Sequence, residues 1–432
     1  MINKSVQNKN YCATVVEISK LTELDNCDNL VMADIYGNSV LVSTSVKVGD
    51  VGLYFPPETQ LSTSYAASNN LFKDSAKNTD KSTGYLQDNR RVRCIKIRGH
   101  YSDGLFMPLT SVSFACDVKE LSMGDEFDSL GGISICNKYA IAKKNTKEAK
   151  PKKHRKHVTN DKLLKGQFRF HEDTLMLYKY IDTIKPDDHI HISYKLHGTS
   201  CISSNILCKK KLRWYEKVLK KIWVNVVDTE YDHIYSSRRV IKNACVDFDK
   251  NSYYGEDIWK MAHEFMKAKL PKGMTAYYEI VGYLPSGKFI QDGYDYGCKP
   301  YSFDIYVYRL TQTNVDGVVY EFPAKHVKYW CDNNGVNPVP ELYHGSVKEF
   351  FRKETGRELS PEQEPSWRSV LLESIKSRYN EKDCYMCSGK LPEEGCVIRV
   401  DSDELVAFKC KSKRFHERET KMLDKGNDDI ES

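Results

Sequence analysis

Short runs of apolar and β-branched residues, separated by turn-forming residues, fill the chain from about residue 10 to about residue 110. They predict six strands, at residues 11–18, 29–37, 38–45, 51–56, 91–99 and 104–109. No long helical pattern interrupts these strands. Because many short strands at close spacing are typical of a small barrel, we expect an OB-type β-barrel over residues 1–140, an expectation that rests on analogy between folds.

A strongly basic stretch follows the predicted barrel. Residues 143–156 carry a single acid and lack the large apolar side chains that could build a core. This composition favours a flexible linker over residues 141–165, while a phosphate-binding tether and a nuclear-import signal remain alternatives.

The remaining residues, 166–432, alternate apolar strands with helical stretches. Strands are predicted at residues 189–196, 275–283, 301–310, 395–400 and 404–411, and helices at residues 255–270 and 346–356. The alternation lacks the regularity of a parallel sheet, and no glycine-rich loop of the Rossmann or P-loop type occurs. We therefore expect an α+β fold, in which the N-terminal barrel precedes a mixed α/β domain with antiparallel sheets.

Composition agrees with two folded units. The chain has 432 residues, of which 40% are hydrophobic and 29% are charged, and both fractions lie in the range of globular proteins. The net charge of +6 supports a polyanionic partner only weakly. No apolar run reaches the roughly 20 residues that span a bilayer, and the N-terminus lacks the apolar core of a secretion signal. We expect an intracellular protein, in the cytoplasm or the nucleus, without a membrane partner.

The 14 cysteines show no disulfide framework and are expected to be reduced thiols. Cys384 and Cys387 have the spacing of half a zinc site, but no second pair accompanies them, so buried thiols are favoured there too. Residues 209–223 mix basic and aromatic side chains. They could follow a polynucleotide backbone, although the spacing favours an amphipathic helix whose apolar face packs on the domain.

The first candidate for a catalytic residue is Lys195, which ends an apolar strand. A polar residue lies two positions later and is followed by Gly198. A lysine at a strand end can attack an electrophile if it is uncharged, and nearby cations favour that state. Lys409 and Lys411 alternate on a strand, so they point to the same side of a sheet. Glu394, which precedes a glycine and a buried strand, suits an acid that holds a metal or its water.

Glu279 lies in the middle of an apolar strand, where a carboxylate is costly unless it has a partner, such as a ribose hydroxyl. Taken singly, each of these residues is weak evidence for a site. Their order along the chain is more specific. In succession come KxHG at Lys195, SSRR at residues 236–239, the strand with Glu279, FDIY at residues 303–306, EG at residues 394–395 and KxK at residues 409–411.

This ordered set resembles the polynucleotide ligase and capping-enzyme superfamily, and within it the Deinococcus-type, or fifth-family, RNA ligases. The likeness covers nearly the whole chain and includes HEDT at residues 171–174 and YYGEDIW at residues 253–259. It implies that Lys195 is the nucleophile that forms lysyl-AMP. It also implies that Glu394 anchors a catalytic metal through water and that Lys409 and Lys411 bind the α-phosphate.

The resemblance further implies a set of nucleotide contacts. Arg238 resembles the arginine that contacts the ribose and later the phosphates, with Arg239 as an alternative. Glu279 is similar to the glutamate that contacts the ribose. Phe303 resembles the aromatic residue that stacks on adenine, and Tyr306 and Tyr308 are alternatives for that role.

One position departs from the family pattern, which is usually KxDG. His197 stands where the aspartate would be. A neutral imidazole is a poor ligand for a hard magnesium hydrate, so we expect His197 to position a phosphate or a hydroxyl instead. Gly198 is expected to let the backbone approach the nucleotide closely.

The resemblance implies an ATP-dependent RNA ligase that joins 3′-hydroxyl and 5′-phosphate ends through lysyl-AMP and an adenylylated polynucleotide. ATP and Mg²⁺ or Mn²⁺ are the expected cofactors. The expected partner is RNA, or a nicked duplex whose 3′-hydroxyl strand is RNA, bound by a monomer. Alternatives are an RNA-capping guanylyltransferase, an ATP-dependent DNA ligase and a catalytically inactive OB-fold nucleic-acid-binding protein. The absence of a further OB-type pattern after Lys411 disfavours the first two.

Overall fold

The computed structural model describes residues 2–140, 162–242, 256–360 and 367–424. Its strands are β1 Lys4–Ser5, β2 Ala13–Glu17, β3 Leu21–Thr22, β4 Leu30–Ile35, β5 Asn38–Ser43, β6 Val51–Phe55, β7 Thr59–Leu61, β8 Cys94–Ile97, β9 His100–Asp103, β10 Leu105–Pro108, β11 Glu126–Phe127, β12 Ser129–Leu130, β13 Ile133–Ser134, β14 Cys136–Lys138, β15 Leu175–Met176, β16 His189–Tyr194, β17 Thr199–Lys209, β18 Thr229–Ser237, β19 Met274–Gly282, β20 Phe303–Thr313, β21 Val319–Glu321, β22 Asn337–Pro338, β23 Glu341–Ser346, β24 Gly395–Val400 and β25 Val406–Lys411. The helices are α1 Thr63–Ser68, α2 Leu177–Tyr180, α3 Trp214–Lys221, α4 Ile258–Lys267, α5 Ala324–Asn334, α6 Val347–Thr355, α7 Trp367–Ser374 and α8 Lys413–Asp424, with a π-helical segment at Ile375–Asn380.

Each of the six strands predicted in the first part of the chain is present, as β2, β4, β5, β6, β8 and β10. They belong to small antiparallel sheets with the strand orders β10-β6-β2-β11, β3-β4-β5, β1-β12-β13, β8-β9 and β14-β7. Within residues 2–140, strand pairing closes none of these sheets into a ring, so the OB-type barrel stays a prediction. The basic stretch at residues 143–156 lies outside the described residues.

The second part of the chain is a mixed α/β structure built on two sheets, as predicted. One has the strand order β15-β25-β24-β16-β23, and the other has the order β18-β17-β19-β20-β21, with β22 beside β20. Pairing is antiparallel except where β15 meets β25 and β22 meets β20. Helices α4 and α5 cover one side of the six-stranded sheet. Strand β19 is buried along its whole length, which explains its nearly continuous apolar sequence.

The N-terminal sheets dock directly onto the second part of the chain. Lys179 on α2 lies 2.6 Å from a carboxylate oxygen of Glu126, and the hydroxyl of Tyr180 donates to the same carboxylate at 2.8 Å. On another side, the fully buried guanidinium of Arg91 contacts Asp424 on α8 at 3.0 Å. A buried arginine needs such partners, so α8 is fixed by the N-terminal region.

Strands β17 and β18 form a long hairpin, here called the arm, whose tip comprises residues 210–228 and includes α3. The predicted amphipathic helix is present, but the prediction that its apolar face packs on the domain is wrong. Helix α3 is amphipathic, but it has no buried residue, and Trp214 and Ile222 are largely exposed. The apolar face of α3 therefore points to solvent.

Thirteen cysteines fall in the described part of the chain, and all are free thiols. Among the residues described here, no helix combines the length and the apolar character needed to cross a bilayer.

Candidate active site

A cleft between the two sheets of the second region is lined by five of the predicted site residues. From the five-stranded sheet and its edges come Lys195, Lys409 and Lys411, and from the six-stranded sheet come Glu279 and Arg238. The N-terminal region also reaches the cleft, through Tyr11, Glu58, Lys138 and Tyr139. The walls thus combine apolar surface with a concentration of cations, a combination that suits a nucleotide.

Lys195 follows the last residue of β16, where the strand leaves the sheet. Its backbone N–H donates to the carbonyl of Gly395 at 2.8 Å, which ties the end of β16 to the start of β24. Its Nζ lies 2.7 Å from Oε1 of Glu394. A Cβ at Gly395 would meet the Cys410 carbonyl oxygen at 2.2 Å, so only glycine allows β24 and β25 to bring Glu394 this close.

Glu394 is the centre of the charged cluster. Its side chain is about 1% exposed, and Oε1 lies 2.7 Å from Lys195 and 3.7 Å from Nζ of Lys411. A carboxylate so deeply buried is stable only beside cations. Lys195, Glu394 and Lys411, which come from three of the ordered motifs, therefore meet at one point.

Lys411 has a second acidic partner, Glu419 on α8, at 2.9 Å. Burial opposes ionisation of this carboxyl, but the Lys411 ammonium and then His416 outweigh burial and lower the pKa of Glu419 to about 2. Glu419 therefore stays charged at neutral pH and holds the Lys411 side chain. No motif in the sequence indicates Glu419.

Lys409 lies on the same face of β25 as Lys411, as the alternation predicted. Burial, followed by the positive charges of Lys411 and Lys195, lowers the pKa of Lys409 to about 7, although Asp173 acts in the opposite direction. At neutral pH this side chain is poised between its charged and neutral forms. An anionic ligand in the cleft would favour the charged form.

Arg238 follows β18 and points into the cleft, where its guanidinium lies 2.5 Å from Asp173. Arg239 contacts the other oxygen of Asp173 at 3.3 Å but is mostly exposed, so Arg238 is the better placed of the two predicted arginines. Burial alone would raise the pKa of Asp173, yet Arg238 keeps it below its usual range. Asp173 therefore acts as the anchor that aims Arg238.

Lys138 brings a further cation to the cleft from the last residue of β14. Burial, followed by the charges of Arg238 and Lys411, lowers its pKa. Sequence reasoning did not single out Lys138, because a lone lysine in the predicted N-terminal barrel carries no signal of where the two regions meet.

His197 and Gly198 pack behind the charged cluster. The imidazole lies edge-on to Tyr294 and Phe415, with ring centroids 5.1 and 4.9 Å away, and its Nδ1 is 3.8 Å from Oε2 of Glu394. A Cβ at Gly198 would meet the Ile280 carbonyl oxygen at 2.3 Å. The close approach that requires glycine is thus to β19, whereas the sequence suggested an approach to the ligand.

Glu279 lies in β19, and its carboxylate reaches the cleft from the buried middle of the strand. Phe303 begins β20 on the face that packs against the apolar core beneath α4 and is not among the residues that line the cleft. Tyr308 does line it, and its hydroxyl lies 3.0 Å from Oγ of Ser200. This placement argues against the predicted stacking role of Phe303, because alternate residues of a strand face opposite sides.

The donor set fits a metal that is bound largely through water and phosphate. Among the described residues, no group of three or more His, Cys, Asp and Glu side chains is arranged to hold a metal ion. Glu394, buried behind Lys195 and Lys411 at the edge of the cleft, offers one hard oxygen donor. A single carboxylate donor suits Mg²⁺, which usually keeps several waters and takes one or two carboxylates together with substrate phosphates.

Searches against protein-family models and against curated proteins find no match. Solved structures of Naegleria gruberi RNA ligase share the fold. A variant of that enzyme with ATP and Mn has 14% sequence identity and a TM-score of 0.57, over 94% of this chain and 98% of that one. A second variant with ATP and Mn has 13% identity and a TM-score of 0.56, over 95% and 99%. The enzyme with PPi has 14% identity and a TM-score of 0.54, over 95% and 98%.

The chain therefore has the fold of an RNA ligase. One protein to which it is similar in structure over nearly its full length is the Naegleria gruberi RNA ligase.

Proposed function

We propose that this protein is an ATP-dependent RNA ligase that joins a 3′-hydroxyl to a 5′-phosphate. The observation that carries the proposal is the cluster in which Lys195 and Lys411 meet the buried carboxylate of Glu394 at 2.7 and 3.7 Å. An amine at a strand end, beside further cations and one hard acid, suits nucleophilic attack on a phosphate. The shared fold and the ordered motifs support the same reaction class.

In the first step, the Nζ of Lys195 attacks the α-phosphorus of ATP, a nitrogen–phosphorus bond forms, and pyrophosphate leaves. The attack requires an uncharged amine, and the positive charges of Lys409 and Lys411 disfavour a third ammonium nearby. The same two lysines neutralise the charge that develops on the α-phosphate. Catalysis then rests mainly on positioning and electrostatic stabilisation, as is general for phosphoryl transfer.

Glu394 is the residue that would hold a divalent cation through water. Such a cation would supply charge neutralisation at the α-phosphate. Since Glu394 also contacts Lys195, the carboxylate is placed to align the nucleophile with the phosphate that the cation binds.

For the nucleoside, we assign the ribose contact to Glu279 and the stacking contact to Tyr308 in place of Phe303. Arg238, aimed by Asp173, is placed to contact the ribose and later the phosphates. Val397 on β24 also lines the cleft and offers apolar surface for the other side of the base. His197, beside Glu394, would support the carboxylate and the phosphate that approaches it.

In the later steps, AMP passes from Lys195 to the 5′-phosphate of the polynucleotide, and the 3′-hydroxyl then displaces AMP. We infer that residues 1–140 form an OB-type module that grips the RNA duplex, mainly through its phosphates and its shape. Lys138, at the junction of this module with the cleft, is placed to contact a phosphate. The ordered motifs support membership in the Deinococcus-type RNA ligases and action as a monomer on nicks with a 3′-hydroxyl RNA strand.

The intact mass of the protein after incubation with ATP and Mg²⁺ or Mn²⁺ tests the proposal. We expect a covalent AMP adduct that is lost in Lys195→Ala and retained in Lys382→Ala, a matched change of an exposed lysine. Labelling by GTP in place of ATP would favour a capping guanylyltransferase, and no labelling by either would favour a binding protein. Sealing of nicked RNA and DNA duplexes then defines the substrate.

A further inference from the structure

The tip of the arm exposes aromatic rings to an unusual degree. Trp214 is 78% exposed and Trp223 is 97% exposed, and Tyr215 lies beside Trp214. Large apolar side chains that cluster on a protein surface commonly mark an interaction site. The tip therefore needs a partner of defined chemistry.

Charge indicates what that partner is. Between residues 209 and 228 there are seven lysines and arginines but only two acids. Both acids are already neutralised, because Glu216 contacts Lys210 at 2.8 Å and Asp228 contacts Lys220 at 2.5 Å. Within the described part of the chain, no ion pair involves the remaining basic residues, Lys209, Lys211, Arg213, Lys217 and Lys221.

The cations and the rings occupy neighbouring positions on α3. Lys217 and Lys221 are four residues apart and so lie one above the other along the helix. At 100° per residue they border the edge of the apolar face that carries Trp214. A groove or ridge that combines backbone-binding cations with exposed rings is the arrangement that binds single-stranded nucleic acid, since every base has a face that can stack.

The arm also connects the tip to the cleft. Ser200, near the start of β17, and Arg238, just after β18, both line the cleft, whereas Lys209 and Thr229 lie at the far end of the hairpin. Nine residues of strand separate Ser200 from Lys209, a distance of about 30 Å. That distance corresponds to roughly nine nucleotides of stacked strand at about 3.4 Å each.

We propose that the tip of the arm binds a single-stranded stretch of the RNA substrate, roughly nine nucleotides from the sealing site, by stacking Trp214 and Trp223 on its bases and pairing Lys217 and Lys221 with its phosphates. The proposal rests on the proposed ligase function and names a second contact for its substrate. A basic helix with exposed tryptophans also suits an anionic membrane surface. RNA is favoured because the same hairpin ends at the nucleotide cleft.

Fluorescence anisotropy tests the contact without any chemistry, with a nicked RNA duplex that lacks the 5′-phosphate and in the absence of ATP. The variant is Trp214→Ala/Trp223→Ala, and the matched control is Tyr320→Ala/Tyr329→Ala, whose rings are also exposed, at 56% and 70%. For duplex arms of about six base pairs that continue into single-stranded overhangs of about 12 nucleotides, we expect the tip variant to bind at least tenfold more weakly than the wild type and the control. For the same arms without overhangs, which end short of the tip, we expect equal binding.

A second measurement separates phosphate contacts from stacking. Lys217→Ala/Lys221→Ala should lower the slope of log Kd against log salt concentration by about two, while Lys325→Ala should leave it within about one of the wild type. Adenylylation by ATP should be unchanged in all of these variants, because the tip lies far from the cleft.

Equal affinity of wild type and tip variant for the duplex with overhangs would overturn the proposal. So would a tip variant that loses binding to anionic phospholipid vesicles but keeps its affinity for RNA, since the tip would then be a membrane contact. A wild-type protein that binds the duplex with overhangs through the tip but forms no AMP adduct would refute the ligase function and leave the tip contact standing.

Discussion

Replacing Lys409 by arginine should change how the rate of adenylylation depends on pH. Burial and the charges of Lys411 and Lys195 lower the pKa of Lys409 to about 7, against the opposing effect of Asp173, while Arg238 adds a further positive charge. Below that pH the side chain is an ammonium that can bind the α-phosphate. Above it, the free enzyme loses this cation, whereas arginine keeps its charge throughout the accessible range.

The expected magnitude follows from the titration. Since kcat/KM reports groups in the free enzyme, we expect the contribution of Lys409 to fall by about tenfold per pH unit once the pH exceeds about 8. Lys195 is present in both proteins. The ratio of kcat/KM in the wild type to that in Lys409→Arg therefore reports mainly on the charge at position 409, including its effect on Lys195.

The assay is the initial rate of AMP adduct formation at subsaturating ATP, in buffers of constant ionic strength. We expect the ratio to fall between about pH 6 and about pH 9. For kcat the fall should begin at a higher pH, because bound phosphates favour the charged lysine. A ratio that stays constant over the whole range, with both proteins active, would mean that Lys409 does not titrate there, and the prediction of a lowered pKa would be wrong.

Three further predictions concern other contacts. Glu419→Gln removes the charge that holds Lys411 and should slow adduct formation about tenfold, as measured by transfer of labelled AMP. Arg91→Ala removes a fully buried guanidinium and leaves the buried Glu58 without its cation, and it should lower the free energy of unfolding by about 3–5 kcal/mol in urea titrations. Tyr308→Ala should raise the KM for ATP roughly tenfold through lost stacking, whereas Phe303→Ala should change it much less.

Each of these has a neighbouring control. Glu417→Gln alters another acid of α8, one that contacts Lys421, and should leave the adduct rate unchanged; an equal loss in both variants would point to a general effect on the helix. Arg93→Ala removes a more exposed contact to the same Asp424 and should cost less than about 1 kcal/mol. If Phe303→Ala raised the KM more than Tyr308→Ala, the assignment of the stacking residue would be reversed.

The strands were the predictable part of the fold. Their apolar runs and alternation follow from local burial, and β2, β4, β16, β19 and β25 all lie where the pattern put them. Whether the N-terminal strands close into a barrel depends on pairing between distant residues, which periodicity does not contain. The sequence also could not predict that the apolar face of α3 is exposed to solvent, because an amphipathic pattern does not say whether protein, water or another molecule covers the apolar side.

The charged cluster was predictable where it depends on spacing along one strand or on an ordered motif. Lys409 and Lys411 share a face because they are two residues apart. Glu419 and Lys138 were missed because only the docking of α8 and of the N-terminal region brings them to the cleft. Asp173, which precedes β15, was missed because its partner Arg238 lies 65 residues away in the sequence. Such residues have no local signature, since their role depends on tertiary contacts alone.

The residue proposed to stack on the base can be inferred from strand pairing, although the motif indicates a different residue. Glu279 on β19 pairs directly with Tyr306 on β20, and residues that pair across a sheet project from the same face. Even-numbered residues near that point of β20 therefore share a face with Glu279, and the odd-numbered Phe303 faces the core. The register also shifts at Tyr277, where Tyr308 is the extra residue of a β-bulge. Because bulges re-aim side chains beside active sites, strand pairing favours Tyr308 over the motif position as the residue that meets the nucleotide.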